Sequence, residues 1–294
     1  MRGILRLESH AKVNLRLEIL RKREDGYHDL RSIFQKISLC DTVSVSLTQD
    51  KAITVTSDHP DLPCGPRNLA YRAARAILNE AGRGNGIRIE IEKRIPLGAG
   101  LGGGSSNAAT TLMALNQLLG AGFSRKELKA IGLTIGADVP FFLMDGAALV
   151  YGIGERLRRI ELPQLWFVLI YPNFEVSTRW AYEHVVLTKR QIDINLRRFV
   201  SSAKDISRIL MNDLEEVVSR RYSQIRDMKK VLESAGARGA LMTGSGPTVF
   251  GVFSTKGEAE EGYRKVRGVV KRKGWLVLRS QSLASRTGGP DRSL

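Results

Sequence analysis

The sequence predicts an α+β protein folded as two consecutive domains. Three observations carry this. The chain has 294 residues, long enough for two ordinary domains. Strand-type alternation and helix-type periodicity both occur in each half. The pattern restarts around Leu162 to Gln164 after a glycine-punctuated hairpin. The expected division is residues 1–160, residues 161–283 and a loose Gly, Ser and Arg-rich tail over 284–294. No internal repeat is visible.

The elements follow in order. "AKVNLRLEIL" alternates strictly, with Ala11, Val13, Leu15, Leu17 and Ile19 on one face and Lys12, Asn14, Arg16 and Glu18 on the other. Asp25-Gly26 marks a turn. "DTVSVSL" and "AITVTS" read as two strands. Asn68 is a good N-cap for the helix "LAYRAARAILNEAG", which Gly82 ends. "IRIEIEKRIP" is a strand, "SSNAATTLMALNQLLG" a helix, and Ser124 with Glu127 forms a capping box for "RKELKAIGLTIG". "GAALVYGIGERLRRI" closes the first half as a hairpin. In the second half, "LWFVLIYP" reads as a buried strand and "STRWAYEHVV" begins a run of amphipathic helices ending at Gly236. The hairpin "GALMTGSGPTVFGVF", the helix "EAEEGYRKVRGVVKRKG" and the strand "WLVLRSQSL" complete it.

Composition narrows the function classes. Lysine and arginine total 46 against 30 acids, a formal charge of +16, which suits a polyanionic partner or a phosphorylated small molecule. Aromatic residues are only 6%, a poor supply for a single-strand stacking platform. No apolar run has the length of a membrane span, and the N-terminus passes straight into a strand pattern. A cytoplasmic location without a signal or transit peptide is expected. Cys40 and Cys64 have no metal-type spacing and read as idle thiols, and no metal cluster is expected.

The stretch "PLGAGLGGGSSNAA", from Pro96 to Ala109, carries the chemistry. It places five glycines between Gly98 and Gly104. Gly98, Gly100 and Gly103 satisfy G-x-G-x-x-G, but a second helix follows where a dinucleotide fold needs a second parallel strand. The Walker pattern and the protein-kinase signatures are absent. What remains is a strand end, a glycine loop and a helix N-terminus whose free N–H groups attract an anion.

These residues resemble the central phosphate loop of the GHMP kinases, the superfamily of galactokinase, homoserine kinase and mevalonate kinase. "AKVNL" is similar to the first motif of that family and "TGSGPTVFGVF" to the third, and the resemblance spans the chain apart from the tail. "LGGGSSNAA", "DGYHDLRS" and "GADVPFF" together resemble the branch that phosphorylates the 2-hydroxyl of CDP-methylerythritol with ATP in the non-mevalonate isoprenoid pathway. The resemblance implies an N-terminal domain of a ribosomal-protein type and a ferredoxin-like C-terminal domain, with ATP and substrate meeting between them. It implies that Lys12 and Asp138 are catalytic. It assigns ATP to Pro96, Leu97, Gly98, Ala99, Gly100, Leu101, Gly102, Gly103, Gly104, Ser105 and Ser106. Asn14, Tyr27, His28 and Tyr182 take the substrate, with Trp180 and Phe174 competing for the stacking place of Tyr182. Thr178 is either a helix cap or a ligand contact. Gly244 and Gly246 let the third motif approach the loop. Mg²⁺ arrives with ATP, and Ser106 is a candidate ligand to it.

Tyr27-His28 argue against homoserine as substrate, since homoserine has nothing to stack on. The glycine loop with Asp138 argues against an RNA-binding protein, which the charge would otherwise suit. The chain is expected to act as a monomer or weak homodimer, without nucleic acid or membrane as partner.

Overall fold

A computed structural model describes residues 3–186, 203–271 and 273–284. Two antiparallel-rich sheets dominate. The first is built around β1 (Ile4–Lys22) and β2 (His28–Thr48), which pair antiparallel along nearly their whole length. Sequence reading caught only part of β2, because "LRSIFQKISLC" does not alternate cleanly. Its C-terminal half pairs with β4 (Gly86–Glu92), and its N-terminal half pairs with β5 (Ala147–Gly152). The parallel strand β3 (Ile53–Ser57) lies beyond β4, and β6 (Arg156–Ile160) lies beyond β5.

Three helices cover one face of this sheet. They are α1 (Leu69–Glu80), α2 (Gly103–Leu119) and α3 (Arg125–Ile135). Ala70, Ala73 and Ala74 of α1 and Ala108, Leu112 and Leu115 of α2 are fully buried, as are Ile87 and Ile89 of β4. The alanines let the two helices approach closely, while each buried Ile or Leu contributes about 1.5–3 kcal/mol. The expected caps form. Asn68 accepts from the Ala70 N–H, and Ser124 and Glu127 make the reciprocal capping box. The α2 helix begins earlier than "SSNAA" suggests, at Gly103, because Gly102 turns into the left-handed region (φ 73°) and sets the start.

The second sheet has the order β11-β7-β10-β9, from β7 (Trp166–Tyr171), β9 (Gly239–Met242), β10 (Val249–Phe253) and β11 (Leu276–Gln281). All its pairs are antiparallel. Its helices are α5 (Thr178–His184), α6 (Asp213–Arg221), α7 (Gln224–Ser234) and α8 (Lys256–Val270). With the crossovers before β9 and between β10 and β11, this is the split β-α-β-β-α-β arrangement of a ferredoxin-like domain. Part of the expected helical run, and the expected tail beyond residue 284, lie outside the described residues. The run opens with α5 as expected, and its next described segment is a 3₁₀ turn (Ala203–Arg208) and not an α-helix.

One face of the second sheet packs against the β1–β2 ribbon. Phe167, Leu169 and Phe250 share a core with Ala11, Val13, Leu15 and Ile37. A two-residue strand, β8 (Met211–Asn212), crosses from the second half of the chain and pairs parallel with β1 at Arg16 and Leu17. The polar face of β1 is therefore not a solvent face. Lys12 (4% exposed), Asn14 (1%), Arg16 and Glu18 are all buried. Arg16 and Arg31 both hydrogen-bond Glu18. Burial alone would raise the Glu18 carboxyl, but those two guanidiniums outweigh it and hold it below its ordinary value.

Candidate active site

A cleft of about 920 Å³ opens where the glycine loop, β1, the β1–β2 turn, α5 and the β9–β10 turn meet. The loop forms its floor. Ala99 and Leu101 are buried and pin it, and the Leu101 carbonyl accepts the Lys12 N–H at 2.9 Å. Tyr171 donates to the Leu97 carbonyl at 3.0 Å, at the loop entrance after Pro96. Gly100, Gly102 and Ser105 line the cleft, whereas Gly98 and Gly104 face solvent. Gly102 provides no side-chain cap for α2, so the first-turn N–H groups stay available to a ligand. Two close approaches demand glycine. A Cβ on Gly100 (φ 75°) would lie 2.5 Å from the Thr243 carbonyl, and one on Gly102 would lie 2.7 Å from the Phe142 ring. Gly244 in turn approaches the Gly100 carbonyl, so the β9–β10 turn rests directly on the loop.

Ser106 is placed differently from the sequence expectation. Its hydroxyl points into the core and accepts from Ser9 at 2.8 Å, and Ser105 is the serine facing the cleft. The helical period decides this, since adjacent residues of α2 cannot share a face.

Lys12 reaches from β1 into the cleft. Its ammonium lies 3.5 Å from an Asp138 carboxylate oxygen, donates to Asn14 Oδ1 at 2.5 Å, and sits 4.5 Å from the Phe34 ring centre. Burial pulls the Lys12 pKa below its ordinary value, and Asp138 offsets part of that. Asp138 is the residue before a short helix, α4 (Val139–Phe142), but its side chain makes no capping bond. Its carboxylate is thus turned to Lys12 and the cleft. Below α4, the buried Lys36 donates to the Phe142 carbonyl at 2.9 Å, and burial pushes its pKa down to about 8. Asn14 is held by Ser32 (3.1 Å) and by Thr243, which accepts the Asn14 N–H at 3.0 Å.

The far end of the cleft is aromatic. Tyr27 is 60% exposed on the β1–β2 turn, where its N–H donates to Asp25. His28 and Tyr182 meet with ring centres 5.4 Å apart. Burial, and then Lys22, lower the His28 pKa, which favours the neutral ring. Burial and the Asp138 charge raise the Tyr182 phenol. Of the three competing aromatics, Tyr182 lines the cleft. Phe174 instead stacks on Tyr222, and Trp180 contacts His184 and Arg221. Ser177 caps α5, which frees Thr178 to share a 2.8 Å hydrogen bond with Ser245 at the cleft wall.

Sequence reading missed the support beneath the loop. The fully buried Asp41 accepts from the Arg94 and Ile95 N–H groups, from Asn107 Nδ2 and from Lys93. One carboxylate thereby ties the end of β4 to the start of α2, the two anchors of the glycine loop. An Asp between strand residues carries no motif that would have flagged it.

A glycine loop before a helix N-terminus, with a lysine–aspartate pair beside it, is an arrangement suited to phosphoryl transfer to a small molecule. Residues 68–146 match the GHMP kinases N terminal domain and residues 194–272 the GHMP kinases C terminal domain. The chain belongs to the GHMP kinase family. A curated relative from Geobacter metallireducens, named 4-diphosphocytidyl-2-C-methyl-D-erythritol kinase, is 46% identical over 280 residues, 95% of this chain and 99% of its own. One of the same name from Syntrophus aciditrophicus is 49% identical over 261 residues, 88% and 93% respectively. A crystal structure of 4-(cytidine 5'-diphospho)-2C-methyl-D-erythritol kinase superposes with a TM-score of 0.80 at 35% identity, covering 97% of this chain and all of that one. The homoserine kinase of Cytophaga hutchinsonii shares the fold (TM-score 0.76, 23% identity, coverage 98% and 97%).

Proposed function

We propose that this chain transfers the γ-phosphoryl group of ATP to the 2-hydroxyl of 4-(cytidine 5'-diphospho)-2-C-methyl-D-erythritol, in the non-mevalonate isoprenoid pathway. The near full-length identity to kinases of that name carries the reading. The cleft supports it, because one end offers a phosphate loop and the other offers rings for a pyrimidine.

Phosphoryl transfer needs positioning and charge neutralisation more than covalent chemistry. The Gly102–Ser105 amides and the α2 dipole bind the phosphates. Lys12 stabilises charge developing on the transferred group, and Asp138 takes the proton from the substrate hydroxyl. The proton goes to a carboxylate oxygen as the new P–O bond forms and the bond to ADP breaks. Tyr27 and Tyr182 stack on the cytosine, and the neutral His28 ring offers both a donor and an acceptor to its edge. Lys22 lies at the same end, where the diphosphate of CDP brings negative charge. Mg²⁺ enters with ATP. Ser105 gives the cleft a hard oxygen donor that such an ion would take beside its waters, and when bound the ion would neutralise the phosphate oxygens. The enzyme works in the cytoplasm as a monomer or weak homodimer. Among the described residues no helix is long and apolar enough to cross a membrane.

The test offers the purified protein CDP-methylerythritol, homoserine and mevalonate with labelled ATP. Label transfer to the first alone is expected. Transfer to homoserine or mevalonate with none to the CDP compound overturns the proposal.

A further inference from the structure

The β1–β2 pair carries a second constellation on the face away from the loop. Ser9 faces Asp41 and His10 faces Cys40 in the register of the two strands. Side chains alternate, so Ser9 and Asp41 point one way and brace the start of α2. Glu8, His10 and Cys40 point the other way. One ligand-type atom from each of the three lies within 4.8 Å of the others. The His10 Nε2 is 3.4 Å from Glu8 Oε2, while the His10 Nδ1 is shut from solvent without a hydrogen-bond partner. A buried ring nitrogen without a partner carries a desolvation cost that nothing in the fold repays. Sequence spacing hid the group, because the register of two strands, and not a short motif, brings His10 and Cys40 together.

We propose that Glu8, His10 and Cys40 form a binding site for a divalent transition-metal ion of the zinc type. The donor set decides the class of ion. A thiolate, an imidazole and a carboxylate are a three-ligand zinc set, with solvent completing the tetrahedron on the exposed Glu8 side. Mg²⁺ and Ca²⁺ prefer oxygen-only sites and dehydrate poorly toward sulfur. Cys40 loses its thiol proton to solvent on binding and no electron moves. The two strands are hydrogen-bonded through these rungs, so the ligands start near their bound places. The site is separate from the ATP-associated Mg²⁺, since none of its three residues lines the catalytic cleft.

Chelator-treated full-length protein is titrated with Co²⁺ while thiolate-to-cobalt charge-transfer absorption is read, then back-titrated with Zn²⁺. One equivalent of Co²⁺ is expected to give the band, and Zn²⁺ to erase it. Loss of a direct ligand in Cys40→Ser or His10→Ala is expected to weaken Zn²⁺ by more than about 10-fold, since even outer-shell changes cost that much. Cys64→Ser, at the exposed thiol elsewhere, is expected to bind as wild type. Thermal melting of the metal-free variants separates misfolding from ligand loss, and Glu8→Gln, at an exposed side chain, supplies a third variant should the other two not fold. Absence of the band, its survival in Cys40→Ser, its loss in Cys64→Ser, or displacement of Co²⁺ by equimolar Mg²⁺ each overturns the site.

Discussion

The two ends of the cleft are built by opposite means. At the phosphate end, Lys12 and Asn14 are buried and cross-braced by Ser32, Thr243 and the loop backbone, and Asp41 anchors the loop from below. At the base end, Tyr27 stands on an exposed turn held by surface ion pairs among Arg21, Arg23, Asp25 and Asp29. Such pairs contribute only about 0–1 kcal/mol each. The difference teaches that chemistry is placed where nothing yields, while recognition is placed where a side chain can adjust to its ligand.

The strongest test of that contrast is Asp138→Asn, which keeps the shape and removes the proton acceptor. A general base contributes about 10²–10⁴-fold, so kcat should fall by that order with both KM values nearly unchanged. Lys12→Met should cost at least as much, and the double variant little more than the worse single one, because the two groups act as a unit. Multiplicative losses in steady-state assays would show the phosphate end to be a set of independent parts. Next comes Gly102→Val, which meets the Phe142 ring and a left-handed backbone. ATP affinity by calorimetry should drop at least about 100-fold, as expected for a lost phosphate cradle and a strained turn. Unchanged affinity would make this end as forgiving as the other.

Tyr27→Ala probes the yielding end. It should lose about 1–3 kcal/mol of binding, seen in KM for the CDP substrate and not for ATP. Tyr27→Phe should be nearly neutral. The smallest effect concerns the ground under α4. Burial holds the Lys36 pKa at about 8, below its unfolded value. Below pH 8 both states are protonated and the buried charge costs stability. Above it the native state sheds the proton first, the unfolded state binds more protons, and stability rises with pH. From pH 7 to pH 9, wild type should gain about 1 kcal/mol over Lys36→Met in urea unfolding. Equal pH slopes would show that Lys36 is solvated.

Much of this was legible. Caps at Asn68 and Ser124, the turn at Gly26 and the glycine loop are local signals, and local chemistry decides them. The burial of Lys12, Asn14, Arg16 and Glu18 was not, since alternation reports which residues share a face and never what covers that face. Ser106 was misplaced because a motif names residues and only the helical period turns them. Asp41 was invisible for the opposite reason: its partners, Arg94, Ile95 and Asn107, are distant in sequence, and a strand aspartate resembles any other. The geometry singled out Tyr182 among three aromatics once α5 had a start, at the Ser177 cap.

The pairing of β8 with β1, and of Thr243 with Asn14 across 229 positions, has a consequence for how the molecule is made. Lys12, the glycine loop and Asp138 all leave the ribosome before the residues that close the cleft over them. At about 5–20 residues per second, the interval between Asp138 and Ser245 is on the order of ten seconds. During it the N-terminal half presents the Asn14 and Ile19 N–H groups without the acceptors that Thr243 and Asp213 later supply. The nascent chain therefore carries Lys12 and Asp138 for that interval without Thr243, Gly244 and Ser245, and the cleft is complete only when the second half has docked.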